Sequence, residues 1–241
     1  KSLANIRAME IDLENCNIDN IKIMELPNNY YKINLANNPV SDLKFLEDKN
    51  VTCLNINYTN IENLEKLYDY APNLYKLCAS GIKDITGIER FKHLRDLDLN
   101  NCGLTDINFL SKITDLYYLS LNNNEIEDIS VLADKDNLCY LYLANNRISN
   151  IDALYGIDTK SFYADLSNNK IADSTGIKTG SGFTFILNNQ KIEDNIEISA
   201  TKEYVTDLPD IIKSIYYRML QEKTDVELNN CEINYINKTF I

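Results

Sequence analysis

Two kinds of side chain recur in this sequence with spacing regular enough to do chemistry together. The first is a short side-chain oxygen, Asn or Asp, placed two residues after an aliphatic residue: Ile18/Asn20, Val40/Asp42, Ile61/Asn63, Ile82/Asp84, Leu104/Asp106, Ile126/Asp128, Ile148/Asn150, Ile171/Asp173 and Ile192/Asp194. A column of such oxygens can bind calcium, or it can accept from the free backbone N–H groups that open a helical turn. Calcium-binding nonapeptide repeats need far denser Gly and Asp than this chain carries, so the capping role is expected. The second is Tyr, with Tyr118, Tyr140 and Tyr163 recurring at one repeat position and Tyr142 close by.

Catalytic constellations are scarce. His93 is the single histidine, and no Ser or Cys nucleophile with a matching acid can be placed beside it. Six cysteines, Cys16, Cys53, Cys78, Cys102, Cys139 and Cys231, contain no CxxC pair and no terminal cluster, so free thiols in structural positions are expected. No enzyme, metal site or cofactor is expected.

The charged groups sit in a chain of formal charge -12. That sign argues against a nucleic-acid partner, which needs clustered Lys and Arg, and against anionic membrane surfaces. The sequence contains no run of eighteen apolar residues that could span a bilayer. A hydrophobic fraction of 44% is nevertheless enough to build a core.

The elements that must position these side chains follow from the repeat. Leu94, Leu97, Leu99, Cys102, Leu104, Ile107 and Leu110 define a template of inward residues, and copies begin at Leu116 and Leu138 with a period of about 22 residues. Others begin near Ala8, Tyr30, Val51, Leu74, Ser161 and Gly182, nine copies in all. The LxL alternation has period two and makes a short strand, so the copies stack as a parallel sheet. The following aliphatic residues lie three apart, the spacing of 3₁₀ turns.

The ninth template position is Asn at Asn38, Asn124, Asn146 and Asn169, where a buried amide can satisfy backbone groups; Cys16, Cys102, Thr59 and Gln190 substitute for it elsewhere. The copy through Leu77-Cys78-Ala79-Ser80-Gly81-Ile82 is short and has no such residue. A tight turn at Gly81 and an irregular stack between the third and fifth strands are expected there.

The period and pattern predict an α/β solenoid: a right-handed leucine-rich-repeat superhelix, with a parallel β-sheet on the concave face and 3₁₀ or short helical turns on the convex face. The array is expected over residues 1–195. Residues 196–241 change character, with Leu208-Pro209-Asp210 before Ile211, Ile212, Ile215 and Met219, and read as a C-terminal cap or the start of an immunoglobulin-like domain.

Outward positions on each strand then form columns across the sheet. They bring Tyr118, Tyr140, Tyr142 and Tyr163 into an aromatic patch with Asp96, Asp98 and Asp165 at its ends, a composition suited to recognition of a protein by a monomeric module. Asp98 and Asp165 stand three strands apart, about 14 Å, too far to share one ion.

Over residues 8 to 195 these motifs resemble the bacterial leucine-rich-repeat surface proteins of the internalin type, whose unit is shared with the SDS22-like class. The resemblance implies a secreted or cell-surface adhesin that recognises a protein, such as a host or surface protein, or a glycan through the concave sheet. An intracellular scaffold or SDS22-like regulatory subunit of the cytoplasm is the alternative it leaves open.

Overall fold

The computed structural model describes residues 10–20, 30–178 and 182–191. Each copy of the repeat contributes one short strand: β1 (Glu10–Asp12), β2 (Lys32–Asn34), β3 (Cys53–Asn55), β4 (Lys76–Cys78), β5 (Asp96–Asp98), β6 (Tyr118–Ser120), β7 (Tyr140–Tyr142), β8 (Phe162–Asp165) and β9 (Phe183–Ile186). They form one nine-stranded sheet in sequential order, every pair parallel. The expected 3₁₀ turns lie on the opposite side at Lys44–Leu46, Ile88–Arg90, Asn108–Lys112, Ser130–Leu132 and Asp152–Leu154, and Leu67–Tyr70 forms an α-helical turn. The Ile192/Asp194 pair and the reading of 196–241 as a cap or immunoglobulin-like start lie outside the described residues.

The core is the inward face of the template. Leu97, Leu119 and Leu141 from the strands, with Leu99, Leu121 and Leu143 behind them and Leu110, Leu132 and Leu154 from the turns, are all essentially inaccessible. Burial of each such side chain contributes roughly 1.5–3 kcal/mol, which a three-residue strand lacks in isolation. The repeats therefore stand only as a stack.

Polar groups lock the stack at two levels. At the ninth position Asn124 accepts from the N–H groups of Cys102 and Leu104, both at 3.0 Å, and donates to the carbonyls of Leu99 and Leu121 at 3.0 and 2.9 Å. Asn38, Asn146, Asn169 and Gln190 repeat the arrangement, each accepting from the preceding repeat at Ile18, Ile126, Ile148 and Ile171 respectively. Thr59 donates only within its own repeat, to the Ile56 carbonyl, and the Cys102 thiol reaches back to Ala79 at 3.5 Å.

At the convex turns the recurrent Asn or Asp accepts from the N–H two residues on. The distances are 2.8 Å for Asp42 to Lys44, 2.9 Å for Asp84 to Thr86, 2.7 Å for Asp106 to Asn108 and 2.8 Å for both Asp128 to Ser130 and Asn150 to Asp152. The column is a series of caps. Asn20 differs: its oxygen accepts from Ser41 and Asp42 of the next repeat.

The short fourth repeat does not break the sheet. Lys76, Leu77 and Cys78 stay in register with Cys53, Leu54 and Asn55 on one side and Asp96, Leu97 and Asp98 on the other. The missing residues are absorbed in the turn, where Gly81 takes φ +84° and Ile82 N–H bonds back to Ala79. Tyr58, itself left-handed at φ 53°, lays its ring where a Gly81 side chain would be, and its hydroxyl accepts from Asn101 at 2.8 Å. One side chain thus spans the deficient repeat.

Lys135 is a further departure from the apolar pattern. It fills the place held by Ile113 and Ile157 in neighbouring copies, is buried, and donates to the carbonyls of Leu110 and Ile113 at 2.7 and 3.0 Å. Burial holds its pKa below the usual lysine range.

Candidate recognition surface

The strand register sets Tyr118, Tyr140 and Tyr163 side by side, and Ser120, Tyr142 and Asp165 in the next column. The rings do not stack along their own column. Tyr142 instead lies between Tyr118 and Tyr163, with centroids 5.3 and 5.4 Å apart and ring planes inclined by 42° in both contacts. Tyr140 turns away and meets the ring of Tyr117 edge-on at 5.5 Å. The backbone columns were readable from the alternation, whereas the diagonal pairing depends on side-chain rotamers.

Two aromatic sets result. The inner strip, Tyr118-Tyr142-Tyr163, is half-buried, while Tyr117 and Tyr140 remain 37% and 39% exposed. Tyr117 belongs to a second-position column absent from the sequence expectation. Its backbone explains why that column is ordered: the carbonyls of Tyr75, Arg95 and Tyr117 each accept from two successive N–H groups of the following repeat. The exposed Arg95 guanidinium lies 5.8 Å from the Tyr117 ring, and Tyr75 is 41% exposed on the same edge. Recurrence of Tyr, Arg and Tyr one residue before each strand is the signal that would have found it.

The three carboxylates are not equivalent. Asp96 faces Lys76 at 3.7 Å, a long, partly exposed pair worth little to stability. Asp98 accepts through Oδ1 from Ser80 Oγ at 2.6 Å and Asn100 N–H at 3.0 Å. Asp165 accepts, also through Oδ1, from the N–H and the hydroxyl of Ser167. Burial raises the phenol pKa of Tyr118 and of Tyr163, and the nearby carboxylates of Asp98 and Asp165 add to it. Burial similarly lifts the Cys78 thiol, in the same region of the sheet, to about 11.

The one histidine forms no catalytic arrangement with the described residues around it. His93 Nδ1 lies 2.7 Å from Asp115, but Thr114 donates to that same carboxylate rather than to the imidazole, so the hydroxyl has no base. No group of three or more His, Cys, Asp or Glu among the described residues could hold a metal ion. The five described cysteines are free thiols. No helix among the described residues is long and apolar enough to cross a membrane.

Over the described residues the chain is a leucine-rich-repeat solenoid with an aromatic cluster on its sheet face. The family model described as Leucine Rich repeats (2 copies) matches residues 92–134. No curated protein matches the chain. Among solved structures it is similar to internalin C2 of Listeria monocytogenes, with a TM-score of 0.63 and 24% identity over 74% of this chain and 80% of that one. A leucine-rich-repeat protein of Leptospira interrogans gives a TM-score of 0.59 and 22% identity over 78% and 54%. The Arabidopsis receptor kinase HAESA, solved with the peptide hormone IDA and the co-receptor SERK1, gives 0.59 and 19% over 78% and 35%. At these identities the likeness is one of fold.

Proposed function

We propose that this chain recognises a protein partner on its concave sheet, as a secreted or surface-displayed bacterial adhesin of the internalin kind. The observation that carries the reading is the ring arrangement: Tyr142 wedged between Tyr118 and Tyr163, with Tyr117 and Tyr140 exposed beside them. Tyr offers large contact area at low rotamer cost and dominates many binding hot spots. Asp96, Asp98 and Asp165 border the rings and supply polar contacts at their rim. The similarity of fold to internalin C2 supports the bacterial surface setting.

The test is binding of the labelled protein to cultured host cells, read by flow cytometry. The triple substitution Tyr118→Ala, Tyr142→Ala and Tyr163→Ala is expected to lower binding by more than about tenfold, the loss of at least one hot spot. Its far-UV circular dichroism should stay that of the parent. Undiminished binding by a folded triple variant rules the concave strip out.

A further inference from the structure

We infer that the strip seats an extended cationic segment of the partner, one with two Lys or Arg side chains four residues apart. The inference rests on the recognition reading above and adds the chemistry of what is recognised. Its first support is the sign of the charge. At the third and fifth template positions, which fall on β5 to β8, the charged residues are Asp96, Asp98 and Asp165, with no Lys or Arg among them. Asp96 is matched by Lys76, whereas Asp98 and Asp165 make no ion pair among the described residues. Arg95 belongs to the outer edge with Tyr117.

The second support is orientation. Every hydrogen bond drawn to Asp98 and Asp165 falls on Oδ1, from Ser80 and Asn100 in one case and from Ser167 in the other. Both carboxylates are therefore held in place with Oδ2 left for an incoming donor, which lowers the ordering cost of binding. Between them lie the three half-buried rings, and a cation within about 6 Å of a ring face is attracted to its quadrupole. Carboxylate and aromatic face together favour Lys or Arg over any other side chain.

The third support is spacing. Asp98 on β5 and Asp165 on β8 are three strand steps apart, about 14 Å. An extended segment laid across the strands advances about 3.3 Å per residue, so side chains i and i+4 share a face and stand about 13 Å apart. The side chain at i+2 then faces the rings, where an apolar or aromatic residue fits. The recognised pattern is basic, any, apolar, any, basic.

Panning a random nine-residue peptide library on the immobilised protein, with Tyr142→Ala protein as the counter-selection, tests this directly. Tyr142-dependent peptides should be enriched in basic residues at i and i+4. A synthetic peptide of that pattern should bind Asp98→Asn and Asp165→Asn proteins roughly fivefold more weakly each, the range of a partly exposed ion pair, and should lose affinity with added salt. Asn retains the Oδ1 acceptor, so both variants keep the local fold. Tyr142-dependent peptides without the basic pair, or indifferent to both Asn substitutions, overturn the cationic segment and leave the recognition reading standing. Absence of any Tyr142-dependent peptide overturns both.

Discussion

Replacing Asn124 by Ala should reveal how far the amide ladder, rather than the apolar core alone, holds one repeat to the next. Asn124 is only 7% exposed and serves four backbone groups at 2.9–3.0 Å. The Leu121 carbonyl keeps a donor in Asn146, at 3.0 Å, when Asn124 is removed. Cys102 N–H, Leu104 N–H and the Leu99 carbonyl lose theirs. A buried polar group left unpaired costs about 1–3 kcal/mol, and three of them give about 3–9 kcal/mol, the lower half applying where water enters the gap left by the amide. We expect a loss of about 3–5 kcal/mol in urea unfolding followed by circular dichroism, a large share of the about 5–15 kcal/mol typical of a folded domain. Glu127→Ala, on the exposed convex surface, should stay within about 0.5 kcal/mol. Amide exchange adds a positional check: protection should fall at Cys102 and Leu104, one repeat upstream, while Ile148, served by Asn169, keeps its own. A loss below about 1 kcal/mol, or exchange that rises equally throughout, would refute the inter-repeat account.

Two further perturbations address the short repeat and the convex caps. Gly81→Ala brings a methyl within 2.8 Å of Tyr58 Cδ1 at φ +84°, and should destabilise by about 1–3 kcal/mol; combined with Tyr58→Ala the loss should be less than additive in a double-mutant cycle, and strict additivity would show that ring and turn are independent. The carboxyl pKa values of Asp84 and Asp128 are lowered by the hydroxyl and N–H of Thr86 and Ser130. Their capping contribution is therefore complete above the unfolded value of about 3.9 and is lost as pH falls through the lower folded values. Asp84→Asn with Asp128→Asn, which keeps the Oδ1 acceptor already used at Asn150, should flatten the acid limb of a melting-temperature profile without moving its neutral plateau; an unchanged acid limb would remove these caps from the acid response.

How much of this was readable follows from which interactions are periodic. Strand positions, the inward leucines and the concave columns repeat with the backbone, so Leu97, Leu119 and Leu141 could be aligned without coordinates, as could the caps at Asp84 and Asp128. The ladder role of Asn124 was readable as a need for buried partners, but not its direction, because nothing in one repeat says that the amide serves the copy before it. Side-chain choices were hidden for a different reason. Tyr118 has neighbours at Tyr140 and Tyr142, and only rotamers decide that it meets the second. Lys135 at an apolar position and Tyr58 in a left-handed conformation oppose their residue preferences, and local propensity cannot announce what tertiary contacts impose. The irregularity expected at Gly81 was rightly located but misjudged in extent, since the sheet passes through it in register.

The one-way reach of the ladder also fixes where the array can be divided. Asn146 closes the turn at Ile126, Asn169 closes that at Ile148, and Gln190 closes that at Ile171, always from one copy later. A unit whose turn N–H keeps its side-chain acceptor is therefore offset from the sequence repeat: it ends only after the ladder residue of its successor. Cutting just before Asn146 strands a donor at Ile126, whereas cutting just after it does not. Shortened or grafted arrays made from this chain should be bounded by the amide, not by the leucines that announce the period.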